Sequence, residues 1–335
     1  MIPMTRRHLL IGAAALSAAA VLPAVSVAQS RTIRILVGFP PGGGTDAIAR
    51  LLAERLKDEL PGVQLVVENR AGAGGQLAAQ ALKAAAADGT TLFLTHDHTI
   101  SILPQVTRNP GFDPAQDFVP VAGFATFVNA FAISGATPAR TFPDYVKWIQ
   151  EGGDRAGGNA AKGRGTVGVP APASIPEFAV KLIAERFKLD LVAAPYRGSA
   201  PMMADMLGNQ IAAGTGSVPD FIENHRAGRL RVVAVMGRER QAVLPDVPTF
   251  AELGVAGFEE VPYYGLFAPK GVPAAAIAEL GAALSRALAR ADLREQMLRM
   301  GLAPGYMTAA QLGERERAYT RVWSEIIKTK GFAPS

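Results

Sequence analysis

A strand, a glycine-rich turn and the start of a helix follow one another in VGFPPGGGTDAIARLLAERL, residues 37–56. Prolines and glycines at 40–44 end an apolar run, and Thr45 and Asp46 then open a segment with helical periodicity. Backbone N–H groups at a helix start carry about half a positive charge and bind anions. The loop lacks the lysine of a nucleotide-binding P-loop. The stretch therefore predicts a carboxylate site, and the alternative is a plain turn.

A second glycine-rich turn repeats this arrangement in ENRAGAGGQLAAQAL, residues 68–82. It follows a strand predicted at 63–68 and precedes a helix predicted at 75–86. Turns that follow neighbouring parallel strands lie at the same edge of a sheet, where open α/β folds bind ligands. We therefore expect both turns to face one binding cleft.

The turn from Thr95 to His98 offers further polar groups at the end of a strand predicted at 90–95. His96 and His98 flank Asp97, and strand alternation would place both imidazoles on one side. A metal pair is conceivable, but no third ligand is evident in the sequence. We favour a hydrogen-bonding role at the edge of the cleft.

Other kinds of chemistry find little support in the composition. The chain has no cysteine, which excludes thiolate catalysis and iron–sulfur clusters. Neither a Gly-x-Ser-x-Gly sequence nor a readable Ser–His–Asp set occurs. We expect no catalytic residue, no metal and no cofactor. The formal charge of +5 is too weak a bias to indicate a nucleic-acid partner.

The N-terminal segment, residues 1–28, predicts export. Arg6 and Arg7 precede an apolar stretch from about residue 9 to residue 22, and Ser26 and Ala28 form a small-x-small cleavage pattern. The sequence around the two arginines also resembles a twin-arginine export signal. We predict cleavage after Ala28 and a periplasmic location; the alternative is a buried N-terminal helix.

Two α/β units follow one another after residue 30. Strands and helices alternate as β-α-β-α-β up to about residue 95 and again over 166–236, an order typical of parallel sheets. Three helices are predicted near the C-terminus, and their packing onto the first unit would give two domains joined by more than one crossover. This layout suits a hinged, cleft-binding protein and also several two-domain enzymes.

Five segments, in this order, are similar to one known family. They are Phe39–Asp46, Glu68–Gly75, Pro195–Gly198, Asp205–Ile211 and Leu244–Thr249. Behind a signal peptide, together they resemble the Bug-type extracytoplasmic solute receptors, which are the substrate-binding proteins of tripartite tricarboxylate transporters. The similarity extends from about residue 31 to the end of the chain.

The resemblance implies a two-domain periplasmic-binding-protein (Venus flytrap) fold without catalytic activity. Each domain would be a mainly parallel sheet flanked by helices, with the ligand in the cleft between them. Domain 1 would comprise residues 29–128 and 237–335, and domain 2 residues 129–236. In this family the loop matching 40–46 holds one carboxylate of a small ligand through backbone amides and water, and domain 2 supplies the opposing half.

From the residues and the resemblance together, we predict ligand contacts from both domains. Domain 1 would contribute Pro41, Gly42, Gly43, Gly44, Thr45, Asp46, Gly74, Gly75, Gln76, Thr95 and His96, and domain 2 would contribute Ala171, Ala173, Ser174, Arg197, Ser199 and Asp220.

Four side chains allow two interpretations each. Glu177 stands where the family usually has histidine, so it either repels a ligand carboxylate or points away from the cleft. Arg197 either clamps a carboxylate or is an exposed, solvated side chain. Tyr264, with its neighbour Tyr263, either lines the cleft or packs in the core.

The sequence thus predicts a periplasmic receptor that binds a small organic anion and delivers it to membrane transporter subunits. It would act as a monomer and bind no nucleic acid. The alternatives are a ligand sensor that feeds a signalling kinase and, less favoured, a two-domain enzyme acting on a small carboxylate.

Overall fold

The computed structural model of the protein describes residues 31–152 and 164–329. The predicted signal segment, residues 1–28, lies outside the described residues, so cleavage after Ala28 stays a prediction. Within the described ranges, no helix combines the length and the apolar character needed to cross a membrane.

Two β-sheets organise the described part of the chain. In chain order the strands are β1 (Arg31–Val37), β2 (Val63–Asn69), β3 (Thr91–His96), β4 (Phe118–Thr126), β5 (Asn129–Ser134), β6 (Thr166–Val169), β7 (Val192–Pro195), β8 (Ala213–Ser217), β9 (Leu230–Val235), β10 (Tyr263–Pro269) and β11 (Ala303–Met307).

Helices flank both sheets. In chain order they are α1 (Gly44–Leu56), α2 (Gln76–Lys83), α3 (Leu103–Val106), α4 (Pro114–Asp117), α5 (Phe142–Glu151), α6 (Ile175–Phe187), α7 (Ser199–Leu207), α8 (Val218–Arg226), α9 (Ala274–Ala289), α10 (Ala291–Arg299) and α11 (Ala309–Thr329). A 3₁₀ turn at Ala73–Gly75 precedes α2, and a π-helical turn at His98–Ile102 precedes α3.

The six-stranded sheet has the order β11-β4-β10-β3-β1-β2, and the five-stranded sheet has the order β7-β6-β8-β5-β9. We call the six-stranded sheet with its helices lobe 1 and the five-stranded sheet with its helices lobe 2. The chain passes from lobe 1 to lobe 2 between β4 and β5 and returns between β9 and β10. This arrangement agrees with the predicted pair of α/β units.

The sheets are mixed, which differs from the expectation that each is mainly parallel. The β-α-β units do give parallel pairs, β1 with β2 and β3, and β6 with β7 and β8. However, β10 pairs antiparallel with β3 and β4, and β5 pairs antiparallel with β8 and β9. The reason is topological, because β5 enters lobe 2 and β10 re-enters lobe 1 as strands inserted between the others.

Two of the hydrophobic clusters lie within single lobes, and a third contains residues of both. In lobe 1, alternate residues of β1 such as Ile33 and Ile35 pack with Leu52 of α1 and Leu284 of α9. In lobe 2, methionines of α7 and apolar residues of α8 cover one face of the sheet. Helices α9 and α10 thus pack with lobe 1, whereas Trp323 of α11 also stacks on Phe178 of α6 in lobe 2, with ring centroids 5.6 Å apart.

Helix boundaries follow the local sequence signals. Thr141 accepts a hydrogen bond from the Asp144 amide while the Asp144 carboxylate accepts one from the Thr141 amide, a capping box that begins α5. Neither α8 nor β11 is predicted from the sequence. The carboxyl ends of β1, β3, β6 and β8 all lead into the loops or helix starts that surround the cavity described next.

Candidate functional site

A cavity lies between the lobes, at the carboxyl ends of the parallel strands. About 50 Å³ of it admits the centre of a water molecule, which is room for several waters or a compact ligand. Both lobes contribute to its wall, which consists of Phe39, Thr45, His96, Asp97, His98, Phe127, Asn129, Pro170, Ala171, Ser174, Ile175, Pro176, Ser199, Ser217, Asp220 and Tyr264.

The N-terminus of α1 is capped by a carboxylate from the other lobe. Gly43, the N-cap residue, has no side chain to accept a hydrogen bond from the helix. The Gly44 amide donates to Asp220 Oδ1 at 3.0 Å, across the cleft. Asp220 Oδ2 also accepts from the Ser217 amide at 3.0 Å and from the Ser217 hydroxyl at 2.6 Å. One carboxylate therefore serves the starts of both α1 and α8.

The two lobes approach closely where glycines leave room. A Cβ built on Gly43 would lie 2.8 Å from Ser199 Oγ, at the start of α7. A Cβ built on Gly198 would lie 2.4 Å from the Pro40 ring, and Gly198 also has a φ of +112°. The lobes are thus closed on each other, and two helix N-termini from opposite lobes meet beside the cavity.

Asp46 holds the 40–44 loop instead of lining the cavity. Its carboxylate accepts hydrogen bonds from the Gly42 amide, Arg50 Nε and Asn69 Nδ2 at 2.8–3.0 Å. Burial works against ionisation, but the hydrogen bonds from Arg50, Gly42 and Asn69 outweigh it and lower the pKa of Asp46. Asp46 therefore stays ionised and fixes the loop that starts α1.

Aromatic rings form one wall of the cavity. His96 stacks on Phe39 with ring centroids 5.1 Å apart and meets Phe127 and Tyr264 edge-on. The Tyr264 hydroxyl lies 3.3 Å from the Thr45 hydroxyl. Burial raises the pKa of Tyr264 far above its usual range, and the negative charges of Asp220 and Asp97 raise it further. Tyr264 is therefore a neutral hydroxyl.

Asp97 and His98 are polar groups buried in the same wall. Asp97 is 2% exposed, and its Oδ1 lies 3.4 Å from His96 Nδ1. His98 is 4% exposed, and neither of its ring nitrogens has a hydrogen-bond partner within the described structure. Burial lowers the pKa of His98 to about 3, so the imidazole is neutral at physiological pH.

The loop after β6 contributes from lobe 2. Ser174 caps α6: its hydroxyl accepts from the Glu177 amide at 3.4 Å and donates to the Ala171 carbonyl at 2.6 Å. Glu177 turns back on the same loop, where its carboxylate accepts from the Ala173 amide at 2.6 Å. Glu177 is absent from the cavity wall, which corresponds to the interpretation in which it points away.

Six of the predicted site residues line the cavity: Thr45, His96, Ala171, Ser174, Ser199 and Asp220. The remaining predicted residues do not line it: Pro41, Gly42, Gly43, Gly44, Asp46, Gly74, Gly75, Gln76, Thr95, Ala173 and Arg197. Of these, Gly43 and Gly44 lie at its edge through their approach to Ser199 and Asp220. Arg197 is exposed, in agreement with the solvated interpretation.

The second glycine-rich turn, at 72–75, packs behind the cavity wall. A Cβ on Gly74 would lie 2.6 Å from His98 Nε2, and a Cβ on Gly75 would lie 2.5 Å from Thr99 Oγ1. Gln76 donates to the carbonyl groups of Asn109 and Pro110, away from the cleft. The turn therefore sets the position of the segment that carries His98, and it packs within lobe 1.

The set of predicted ligand contacts did not include ten of the wall residues: Phe39, Asp97, His98, Phe127, Asn129, Pro170, Ile175, Pro176, Ser217 and Tyr264. One local signal was available for Tyr264, because adjacent strand residues face opposite sides. Tyr263 accordingly packs inward, 2.9 Å from the Ser101 hydroxyl, while Tyr264 faces the cavity. Among the described residues, no cluster of three or more His, Asp or Glu side chains has the arrangement of a metal site.

Two mixed α/β lobes, two chain crossings and a cavity between the lobes define a two-domain solute-binding fold. A family model described as "Tripartite tricarboxylate transporter family receptor" (TctC) matches residues 48–332. The chain belongs to this family of receptors, and it is a binding protein and not an enzyme.

Individual proteins agree with this assignment. Protein BugT of Bordetella pertussis (strain Tohama I) is 31% identical over 98% of both chains. The structure of the periplasmic binding protein BugD is 27% identical, with a TM-score of 0.82 over 91% of this chain and 99% of that one. The structure of R. palustris Rpa4515 with adipate is 28% identical, with a TM-score of 0.83 over the same shares.

Proposed function

We propose that the protein is a periplasmic receptor that captures a small organic anion between its lobes and delivers it to a tripartite tricarboxylate-type membrane transporter. The observation that carries this proposal is the meeting of two helix N-termini, at Gly43 of lobe 1 and Ser199 of lobe 2, beside the cavity. Asp220 caps the start of α1, whereas the start of α7 has no side-chain cap, so the dipole of α7 can stabilise a ligand anion there. The adipate bound by R. palustris Rpa4515 supports a carboxylate as the anion.

The ligand contacts in this proposal come from both lobes. The hydroxyl groups of Thr45, Ser174 and Ser199 and the ring of His96 supply hydrogen bonds, directly or through water. Ala171 supplies apolar contact, and the missing side chain at Gly43 lets Ser199 approach the start of α1. Asp220 contributes through its charge.

The lobes act in this proposal as two hinged domains, residues 29–128 with 237–335 and residues 129–236. The two changes of sheet support these boundaries, since β4 ends at Thr126 and β5 begins at Asn129, while β9 ends at Val235. Ligand favours closure only if it binds the closed form more tightly than the open form. A ligand that contacts both lobes meets this condition.

Transport and signalling are distinguished by an uptake measurement. Deletion of the coding sequence in the native host is expected to abolish uptake of a radiolabelled carboxylate that the purified protein binds, and reintroduction of the intact sequence restores it. Normal uptake together with a lost transcriptional response to the same compound would instead favour the sensor.

Export is expected to remove residues 1–28. Because Arg6, Arg7 and the apolar stretch precede Ser26 and Ala28, signal peptidase should cut after Ala28. N-terminal sequencing of the periplasmic protein should therefore begin at Gln29. Recovery of a cytoplasmic protein that retains residues 1–28 as its stable form would contradict both the cleavage and the location. Replacing both arginines with lysine separates the routes, since only twin-arginine export requires the pair.

A further inference from the structure

The charged side chains that line the cavity are unusual for a site that receives an anion. The wall includes two carboxylates, Asp97 and Asp220, and no lysine or arginine of the described chain belongs to it. The His98 imidazole in this wall is neutral, because burial lowers its pKa to about 3. A ligand with two carboxylates would therefore bring at least one of its charges towards a carboxylate.

Asp220 occupies the place that a second ligand carboxylate would need. Its Oδ1 accepts from the Gly44 amide, the first N–H of α1 on the cavity side. Its Oδ2 is fixed by the Ser217 amide and hydroxyl, so the carboxylate is held by three donors. In the closed protein the helix dipole of α1 is thus already matched by an internal anion.

Asp97 is the second negative group, and it is buried beside His96 and Tyr319. Asp97 is 2% exposed, and its ion-pair contact within the described structure is with His96, whose Nδ1 lies 3.4 Å from Asp97 Oδ1. A buried carboxylate without a close cation is costly, and a cation that enters with the ligand would offset that cost. Asp97 and Asp220 both influence the same hydroxyl, that of Tyr264, so their fields overlap in the cavity.

An independent observation marks this region as a ligand position. His98 is 4% exposed, lines the cavity, and leaves both ring nitrogens without a partner among the described atoms. Buried polar atoms are normally hydrogen-bonded, so the unpaired imidazole indicates a partner that arrives with the ligand or with water. Nε2 lies beside Gly74, so Nδ1 is the nitrogen left for that partner. A neutral imidazole has a lone pair that accepts an N–H, and it adds no positive charge.

We propose that the ligand carries a cationic nitrogen in addition to one carboxylate, and that Asp97 and Asp220 recognise the nitrogen. The inference rests on the proposed function, because it assigns the ligand class of that same cavity. The carboxylate faces the start of α7 at Ser199, and the cationic group faces the two aspartates. Dicarboxylates are disfavoured because their second charge meets Asp97 or Asp220.

The test compares pairs of compounds that differ in one end group only. Calorimetry on the mature protein uses succinate with 3-aminopropanoate, glutarate with 4-aminobutanoate, adipate with 5-aminopentanoate, and terephthalate with 4-(aminomethyl)benzoate. The series varies the distance between the two groups, and the last pair fits the aromatic wall. In the best-binding pair, the amino compound is expected to bind at least about tenfold more tightly than the dicarboxylate.

Variants assign the preference to the aspartates. Asp220→Asn keeps an acceptor for Gly44 but removes the charge, and it should reduce the preference at least about tenfold. The matched control is Asp144→Asn, which removes the equivalent carboxylate from the exposed capping box of α5 and should leave the preference unchanged. Asp97→Asn provides a second test should Asp220→Asn fail to fold.

The outcomes separate the two proposals. A dicarboxylate that binds as tightly as its amino partner, or a preference unchanged in both Asp220→Asn and Asp97→Asn, overturns the inference and leaves the receptor function standing. A mature protein that binds no compound of these pairs and none of a broad carboxylate library overturns the receptor function itself, and the inference with it.

Discussion

Replacing Gly43 with aspartate is expected to weaken ligand binding by at least about 100-fold while the protein still folds. Like charges placed together in an interface cost several kcal/mol, and 100-fold corresponds to about 2.7 kcal/mol. The new carboxylate would stand at the start of α1, between Ser199 and Asp220, where the ligand's own charge is proposed to lie. Folding should survive because aspartate is a favoured N-cap residue and Gly43 has an extended backbone.

Two controls separate charge from bulk. Gly43→Asn introduces nearly the same volume without the charge, so the difference between the two variants measures electrostatic repulsion. Gly305→Asp places the same new charge on β11, at a glycine whose Cβ would meet nothing within 4 Å. Calorimetry should show normal affinity for Gly305→Asp. An unchanged affinity for Gly43→Asp would refute the assignment of the 40–46 loop.

Replacing Gly198 with alanine is expected to prevent closure of the lobes. The added methyl group would lie 2.4 Å from the Pro40 ring, across the cleft, which is closer than real side chains approach. Solution scattering of the wild-type protein should show a smaller radius of gyration with saturating ligand than without it. In Gly198→Ala this decrease should be lost, and the affinity should fall with it because the ligand then contacts one lobe only.

The control for this variant is Gly228→Ala. Gly228 also has a positive φ, +69°, but its Cβ would meet nothing within 4 Å. Both variants therefore strain the backbone at a left-handed position, and only one of them obstructs the cleft. A wild-type radius of gyration that is unaffected by ligand would contradict the hinged account. So would equal closure in Gly198→Ala and the wild-type protein.

The parts of the site that the sequence predicted are those set by short-range signals. Thr45, Ser174 and Ser199 each stand where a strand and a turn lead into a helix, and glycine, proline and serine make such starts recognisable. The same signals predict helices at 45–59, 176–187 and 200–207, within a few residues of the observed bounds of α1, α6 and α7. Thr141 and Asp144 likewise fix the start of α5 without any tertiary information.

The remaining parts of the site depend on contacts between residues that are far apart in the sequence. The bond from the Gly44 amide to Asp220 joins residues 176 positions apart, and no local pattern distinguishes Asp220 as its acceptor. The insertion of β10 between β3 and β4 brings Tyr264 to His96, which the order of elements alone did not reveal. In the turn at 72–75 a clear local signal led to a different outcome. Its glycines predicted ligand contact, but in the structure they allow close packing against His98 and Thr99.

The central claim, that the cavity binds a small carboxylate, is tested most directly by thermal unfolding of the mature protein against a carboxylate library. A compound at 100 times its dissociation constant should stabilise the native state by about 2.7 kcal/mol, which raises the Tm of a domain of this size by several degrees. The account predicts that at least one carboxylate gives this shift in the wild-type protein and in Gly305→Asp, and that Gly43→Asp loses it. A library that leaves the wild-type Tm unchanged throughout, or shifts Gly43→Asp equally, would contradict the account.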